Sequence, residues 1–311
     1  MHQNPLLIIL GPTAAGKTKL AVSLANEFNG EVLSADSRQI FRDMDIGTGK
    51  DLQEYQIGNR QIPYHLINIK QAGEKYNVNL FKEDFYQAFE NISKRNKLPI
   101  LCGGTGMYIH SVLQNHELTA IPKNDELRFK YQDYDKNELQ NVLNSYPLAL
   151  RNQADTSSSK RLVRAIEIAE YLNFNNFNKI ERPIIHPLVI GLQSDITTRK
   201  NNILNRLEFR LKNGLIEEVE NLKLNGVSNE ILIFYGLEYK FVASYLAGEI
   251  DFETLKERLG IAICQFAKRQ MTFFRKMEKD GVQINWLNAT QSLDELKLEA
   301  IDLINSKFQL K

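Results

Sequence analysis

Residues 11 to 18 read "GPTAAGKT", and they follow directly on the apolar run "LLIIL" of residues 6 to 10. Gly11, Gly16, Lys17 and Thr18 meet the spacing G-x-x-x-x-G-K-[ST], which has meaning only where a strand passes through a glycine turn straight into a helix. From Lys17 onward, apolar residues at Leu20, Leu24 and Phe28 predict that helix. The segment Gly11, Pro12, Thr13, Ala14, Ala15, Gly16, Lys17 and Thr18 can then turn backbone amides around phosphate oxygens. The helix N-terminus adds positive potential, Lys17 balances charge, and the Thr18 hydroxyl can hold Mg²⁺. The plain alternative is a tight strand-to-helix connection with no ligand.

The same plan recurs downstream. "EVLSADSRQIF" predicts a strand over residues 31 to 35 with Asp36 just past its end, and residues 79 to 96 are helical in pattern. "LPILCGGTGMYIHSVL" is again strand, glycine turn and helix, with Thr105 at the turn. Repeating βα units predict an α/β fold, a P-loop-containing parallel sheet flanked by helices, in which Asp36 and Thr105 share the crevice of the glycine loop. From 116 the chain becomes polar, Asn-rich and mostly helical until "HPLVIGL" (186 to 192) returns a strand to the sheet. Helices follow through 277, then a strand in "GVQINWL" and an amphipathic helix over 292 to 306. The expected organisation is a catalytic core of 1–115 and 186–311, interrupted by a helical insertion domain at 116–185.

Composition narrows the setting. No stretch of the 311 residues approaches the roughly 18 apolar residues of a membrane span, and the N-terminus "MHQNPLLIIL" lacks a basic region and a cleavage site, so a cytoplasmic protein is expected. Cys102 and Cys264 have neither metal nor disulfide spacing and are expected to be buried packing. A formal charge of +1 requires any nucleic-acid contact to come from local clusters.

Four constellations carry chemistry. The glycine loop is the first. In "SADSRQ" (34 to 39), Asp36 beside a phosphate suits a Mg²⁺ ligand or a general base, and equally a helix N-cap. In "CGGTGMY" the strand ends in Gly103, Gly104 and Thr105, where many nucleotide hydrolases carry an acidic metal ligand. A threonine there can orient a substrate or merely cap a helix. Finally, in "LKERLGIAICQFAKRQMTFFRKMEK" (255 to 279), Leu255, Leu259, Ile263, Phe266, Phe273 and Met277 are expected on one helical face. Arg258, Lys268, Arg269, Arg275 and Lys276 gather opposite, with a smaller basic face at Lys160, Arg161 and Arg164. Such faces are either solvated or positioned for an RNA backbone.

In this order, "GPTAAGKT", "SADSRQIFRDMDIGTGK", "IPYHLINI", "PILCGGTGMYI", "KRLVRAIEI" and "FAKRQMTFFR" resemble the tRNA dimethylallyltransferases, also called tRNA isopentenyltransferases, over nearly the whole chain. The resemblance implies transfer of the dimethylallyl group of dimethylallyl diphosphate to the exocyclic amine of the adenosine 3′ of a tRNA anticodon. Diphosphate is the leaving group, gripped by residues 11 to 18 with Mg²⁺ on Thr18. It further implies that Asp36 accepts the amine proton, Thr105 positions the amine or bridging oxygen, and Arg206, chosen over Arg210 by its interval to Gly214, clamps the diphosphate. Contacts with the tRNA anticodon stem-loop are implied for Asp36, Ser37, Arg38, Gln39, Thr105, Arg128, Lys160, Arg161, Leu162, Val163, Arg164, Lys268 and Arg269. A monomer is expected.

Ile263-Cys264 stands where the family commonly has Thr-Arg, and "FYGLEYK" (234 to 240) diverges from its Gly-Tyr-Lys segment. Both departures bear on RNA grip, not on the diphosphate site. The rival readings are a nucleotide or small-molecule kinase, prenylation of free adenine nucleotides, and a non-catalytic RNA-binding module.

Overall fold

In the computed structural model, which describes residues 4–152 and 154–309, the run 6–10 lies inside β1 (Pro5–Leu10), near the middle of a six-stranded sheet. Met1, His2 and Gln3 of the N-terminal stretch lie outside the described residues. α1 (Lys17–Glu27) follows the glycine loop and leads to β2 (Gly30–Ser34). A small antiparallel hairpin, β3 (Gln56–Ile57) and β4 (Arg60–Gln61), precedes β5 (Tyr64–His65). Then come α2 (Val78–Lys94), β6 (Leu98–Gly103) and α3 (Gly106–Leu113).

Two compact units divide the chain, one formed by residues up to Gln114 and from Pro183 onward, the other by Asn115–Arg182. The second unit holds α4 (Asp125–Lys130), α5 (Lys136–Asn144), α6 (Leu148–Arg151) and α7 (Ser159–Phe174). Its core is Tyr131, Leu139, Leu143, Leu162, Ala165, Ile166 and Ala169. Glu167, buried within it, accepts hydrogen bonds from Arg128, Arg164 and the Asn124 N–H.

The first unit continues with β7 (His186–Gln193), α8 (Ile196–Lys212), α9 (Leu215–Leu224), α10 (Asn229–Tyr235) and α11 (Leu237–Leu246). The 28-residue α12 (Phe252–Lys279), β8 (Asn285–Asn288) and α13 (Leu293–Phe308) complete it. Strand order is β5-β2-β6-β1-β7-β8, with every pairing parallel. Side chains alternate across β1: Leu6, Ile8 and Leu10 pack with Phe81, Phe85, Phe89 and Phe274, whereas Leu7 and Ile9 pack with Leu20, Leu24, Ile304 and Phe308. With both faces covered, the strands read as continuous apolar runs.

Two expectations are corrected. Cys102 is buried, but Cys264 is only half-buried on α12. The buried stripe of α12 is Leu255, Leu259, Ile263, Ala267, Gln270, Met271, Phe274 and Met277. Phe266, 41% exposed, and half-buried Phe273 lie on the edge of that stripe beside Leu255, where α12 borders a cavity rather than the packed core.

Candidate active site

Strand register brings the predicted turns together. Leu10 lies opposite Gly103, and Ser34 opposite Cys102, so the chain leaves β1, β2 and β6 at one level of the sheet. The Ala35 N–H donates to the Cys102 carbonyl at 2.8 Å, and the Thr105 N–H donates to the Ala35 carbonyl at 3.0 Å. Gly103 is required here, since a Cβ on it would sit 2.3 Å from the Ala35 carbonyl oxygen. Above this edge opens a cavity of about 550 Å³. Thr13, Lys17, Thr18, Asp36, Ser37, Arg38, Gln39, Thr105, Arg206 and Arg269 line it, joining most of the predicted core residues in one site.

The plain alternatives for Asp36 and Thr105 do not describe what their side chains do. Asp36 Oδ1 accepts from the Arg38 N–H at 2.9 Å, closing a turn rather than capping a helix. Thr105 stands at the N-terminus of α3 without a side-chain cap bond, and its Oγ1 accepts from the Ser37 N–H at 3.0 Å. Its hydroxyl donates to Ser37 Oγ at 3.4 Å, a long bond that a better-placed acceptor can replace. Gln39 is committed to structure: its Oε1 accepts from Ser34 Oγ at 2.8 Å and its Nε2 donates to the Gly49 carbonyl at 3.0 Å. Arg38 donates to the Phe234 carbonyl at 2.5 Å.

Cations dominate one wall. Lys17 Nζ donates to the Pro12 carbonyl at 2.7 Å. Burial pulls its pKa down to about 8; the neighbouring Cys102 and Asp36 act in the opposite direction, and Arg206 in the same. Arg206 pairs with Asp51 and approaches the Gly49 carbonyl at 3.5 Å. One turn later on α8, Arg210 is 8% exposed and lines the same cavity. Its Nη1 lies 3.9 Å from Glu238, while neither Nε nor Nη2 has a hydrogen-bond partner among the described residues. Burial, reinforced by Arg206, brings Arg210 down to about 10. Two adjacent guanidiniums, Arg210 with unmet donors and Arg206 held by Asp51, form a site that favours a multiply charged anion. Burial pushes the Cys102 thiol, on the cavity wall, up to about 12, which keeps it neutral and unreactive.

Several supporting residues were not picked out by sequence. Glu218 on α9 accepts from the N–H groups of Asp45, Ile46 and Gly47 at 2.8, 2.6 and 2.9 Å, and from Tyr239 Oη at 2.8 Å. The fully buried Lys50 donates to the Phe41 carbonyl, Asp45 and Asn68. These bonds shape the "DIGTGK" segment so that Gly47 meets the Tyr239 ring and Gly49 meets Arg206 and Arg210. From α12, Gln270 reaches the glycine loop and the Gly104 carbonyl, and Phe266 and Phe273 add apolar wall beside Ile263. The only sequence signal was the quoted "GTGK" block and the polar Gln270 interrupting an apolar period.

The predicted insertion residues belong to the second unit and divide by burial. Lys160 and Arg161 are exposed, and Arg161 pairs with Asp155 at 2.9 Å. Leu162 is fully buried in that unit's core, which corrects its reading as a contact residue. Val163 is half-buried. Arg164 is committed to the carbonyls of Leu118, Ile121 and Pro122 and, with Arg128, to Glu167. On the first unit, Lys268 and Arg269 are exposed.

The family model described as IPP transferase matches residues 39–277, and that described as isopentenyl transferase matches residues 4–71. The chain is 46% identical over 307 residues to tRNA dimethylallyltransferase 1 of Parabacteroides distasonis, covering 99% of this chain and 100% of that protein. It is 51% identical over 290 residues to tRNA dimethylallyltransferase 2 of Porphyromonas gingivalis, covering 93% and 96% respectively. Among solved structures, the full-length tRNA isopentenylpyrophosphate transferase of Bacillus halodurans superposes with a TM-score of 0.70 at 29% identity, covering 99% of this chain and 97% of that one. A eukaryotic dimethylallyltransferase acting on tRNA shares the fold, with a TM-score of 0.74 at 22% identity over 98% of this chain and 76% of that one.

Proposed function

Because the chain belongs to the IPP transferase family and is a transferase that prenylates tRNA, we propose that its donor is dimethylallyl diphosphate and its acceptor the exocyclic amine of the adenosine 3′ of the anticodon. The observation that carries this reading is the convergence of Lys17, Arg206 and Arg210 with Asp36 and Thr105 in one cavity at the carboxyl ends of the strands.

The amine nitrogen attacks the first carbon of the dimethylallyl group, the carbon–oxygen bond breaks, and its electron pair leaves with the diphosphate. Negative charge grows on the leaving oxygens, so the loop amides, Lys17, Arg206 and Arg210 stabilise the transition state more than the ground state. The adenine amine has a delocalised lone pair and loses a proton as the new bond forms. Asp36 takes that proton, held in place through the Arg38 N–H on its other carboxylate oxygen. The Thr105 hydroxyl, oriented by the Ser37 N–H, donates to the bridging oxygen or holds the amine. Ile263, Phe266 and Phe273 offer the five-carbon group an apolar wall.

The donor set fits Mg²⁺ drawn from the substrate side. Among the described residues no group of three His, Cys, Asp or Glu side chains could hold a metal alone, so Thr18 would bind the ion together with diphosphate oxygens and water. When bound, the ion neutralises leaving-group charge.

A base stacked in an anticodon loop cannot reach this depth, so the adenosine is extruded from its stack. We assign backbone contact to exposed Lys268 and Arg269 on the first unit and to Lys160 and Arg161 on the second, with Ser37 and Arg38 at the base. Arg128 and Arg164 support that surface through Glu167. The core of residues 1–115 and 186–311 carries the chemistry, and the insertion of 116–185 contributes grip. One chain supplies every group invoked, which supports a monomer, and the tRNA substrate supports action in the cytoplasm. Among the described residues no helix is long and apolar enough to cross a membrane.

The test is to incubate the protein with dimethylallyl diphosphate, Mg²⁺ and unmodified tRNA, with free AMP in parallel, and to seek prenylated adenosine by mass spectrometry. Product on tRNA is expected. Product on AMP alone, or consumption of ATP without prenylation, overturns the reading.

A further inference from the structure

Gln270 is 8% exposed, and both polar atoms of its amide are used between two different segments. Its Oε1 accepts from the Thr13 N–H of the glycine loop at 2.9 Å, and its Nε2 donates to the Gly104 carbonyl at 2.9 Å, one residue before Thr105. The partners lie 257 and 166 residues away in sequence. Gly104 is fitted to this bridge, because a Cβ there would lie 2.3 Å from Gln270 Nε2. A side chain present only to fill space would be apolar, since a buried amide is costly unless both ends are bonded. The same stretch of α12 carries Arg269, on the cavity wall, and Lys268.

We propose that Gln270 is a positioning residue that sets the spacing between the loop holding the leaving diphosphate and the turn holding the nucleophile. This rests on the function proposed above. Displacement in which the attacked carbon must lie on line between amine and departing oxygen is sensitive to that spacing, and a misplacement of about 1 Å can cost ~100-fold in rate. One amide bonded to both backbones fixes the two halves relative to each other. The loop and the turn also border each other, with the Gly11 carbonyl 3.5 Å from where a Gly104 Cβ would stand, so a shift of one is felt by the other.

The test compares Gln270→Met, which keeps length and loses both bonds, with Gly104→Ala, which pushes Gln270 aside without changing it, and with the double variant. For each, kcat and KM for tRNA prenylation and the affinity for inorganic diphosphate with Mg²⁺ are measured, with thermal unfolding as a fold check. Each single variant is expected to lower kcat by ~10–100-fold with tRNA KM held within about threefold. Gln270→Met is also expected to weaken diphosphate binding. The double variant should be no worse than the poorer single, because both break one bridge. Wild-type kcat and diphosphate affinity in Gln270→Met, or losses that multiply in the double variant, overturn the proposal. Gly104→Ala decides the matter if Gln270→Met fails to fold. If the wild type binds diphosphate but prenylates no tRNA, the proposed function fails, and the diphosphate arm still decides the role of Gln270.

Discussion

Gly49 and Arg210 occupy space that only a residue without a side chain permits: a Cβ at position 49 would lie 1.7 Å from Arg210 Nη2 and 2.4 Å from Arg206 Nη2. Gly49 also holds φ at +63°, which costs an alanine about 1 kcal/mol. Gly49→Ala should therefore displace the arginine pair and weaken binding of inorganic diphosphate by at least ~10-fold. Calorimetric titration reads this directly, and unchanged affinity would remove the two arginines from the diphosphate site.

Asp36→Asn retains an oxygen for the Arg38 N–H, so the turn should persist. What it loses is the acceptor for the amine proton. Single-turnover prenylation should slow by ~10²–10⁴-fold while tRNA affinity stays within about threefold. A loss confined to tRNA affinity would make Asp36 a binding residue instead.

Burial leaves Lys17 titrating near 8, so it is charged below that pH and neutral above it. Because the charged form attracts diphosphate, affinity for inorganic diphosphate should fall as pH rises from about 7 to about 9. The ligand's own ionisation enters equally for Lys17→Met, so the difference between the two chains isolates the lysine. Parallel pH curves would show that Lys17 does not titrate in this window.

Within the second unit, burial of Glu167 favours its neutral form, but hydrogen bonds from Arg128, the Asn124 N–H and Arg164 outweigh burial and hold its pKa below 4.5. A depressed carboxyl contributes stability above its unfolded pKa and loses it as pH falls through the folded value. Protection of α7 amides from hydrogen exchange should thus decline below a pH of about 4.5. Glu167→Ala should cost the unit about 3 kcal/mol at neutral pH, since two guanidiniums lose their buried partner. Undiminished α7 protection in that variant would contradict the role.

What the sequence made legible is what local spacing encodes. Gly11 to Thr18 and Thr105 sit at strand-to-helix turns and Asp36 just past the end of β2, and a parallel sheet brings the carboxyl ends of its strands to one edge. Arg206 followed from its interval to Gly214, yet Arg210, one turn further along the same helix, is the more buried of the two and keeps unmet donors. Both line the cavity, and spacing along a helix cannot tell which of two residues on one face is the more deeply buried. The roles of Glu218 and Gln270 escaped for another reason: their partners are segments 171 to 173 and 166 to 257 residues away, and even the polar break at Gln270 does not say which segments it joins. Leu162 was misplaced because a motif matched as a run of five hides that α7 turns one of the five inward.

The bond from Lys17 to the Pro12 carbonyl bears on how a turnover ends. An ammonium that held a departing diphosphate tightly, with nothing else to hold, would make product escape slow. Here the amine has an oxygen of its own chain 2.7 Å away, so on the function proposed above it would keep an acceptor when the anion leaves. On that function, the loop that would grip the donor also offers its lysine a resting acceptor once the spent half has gone.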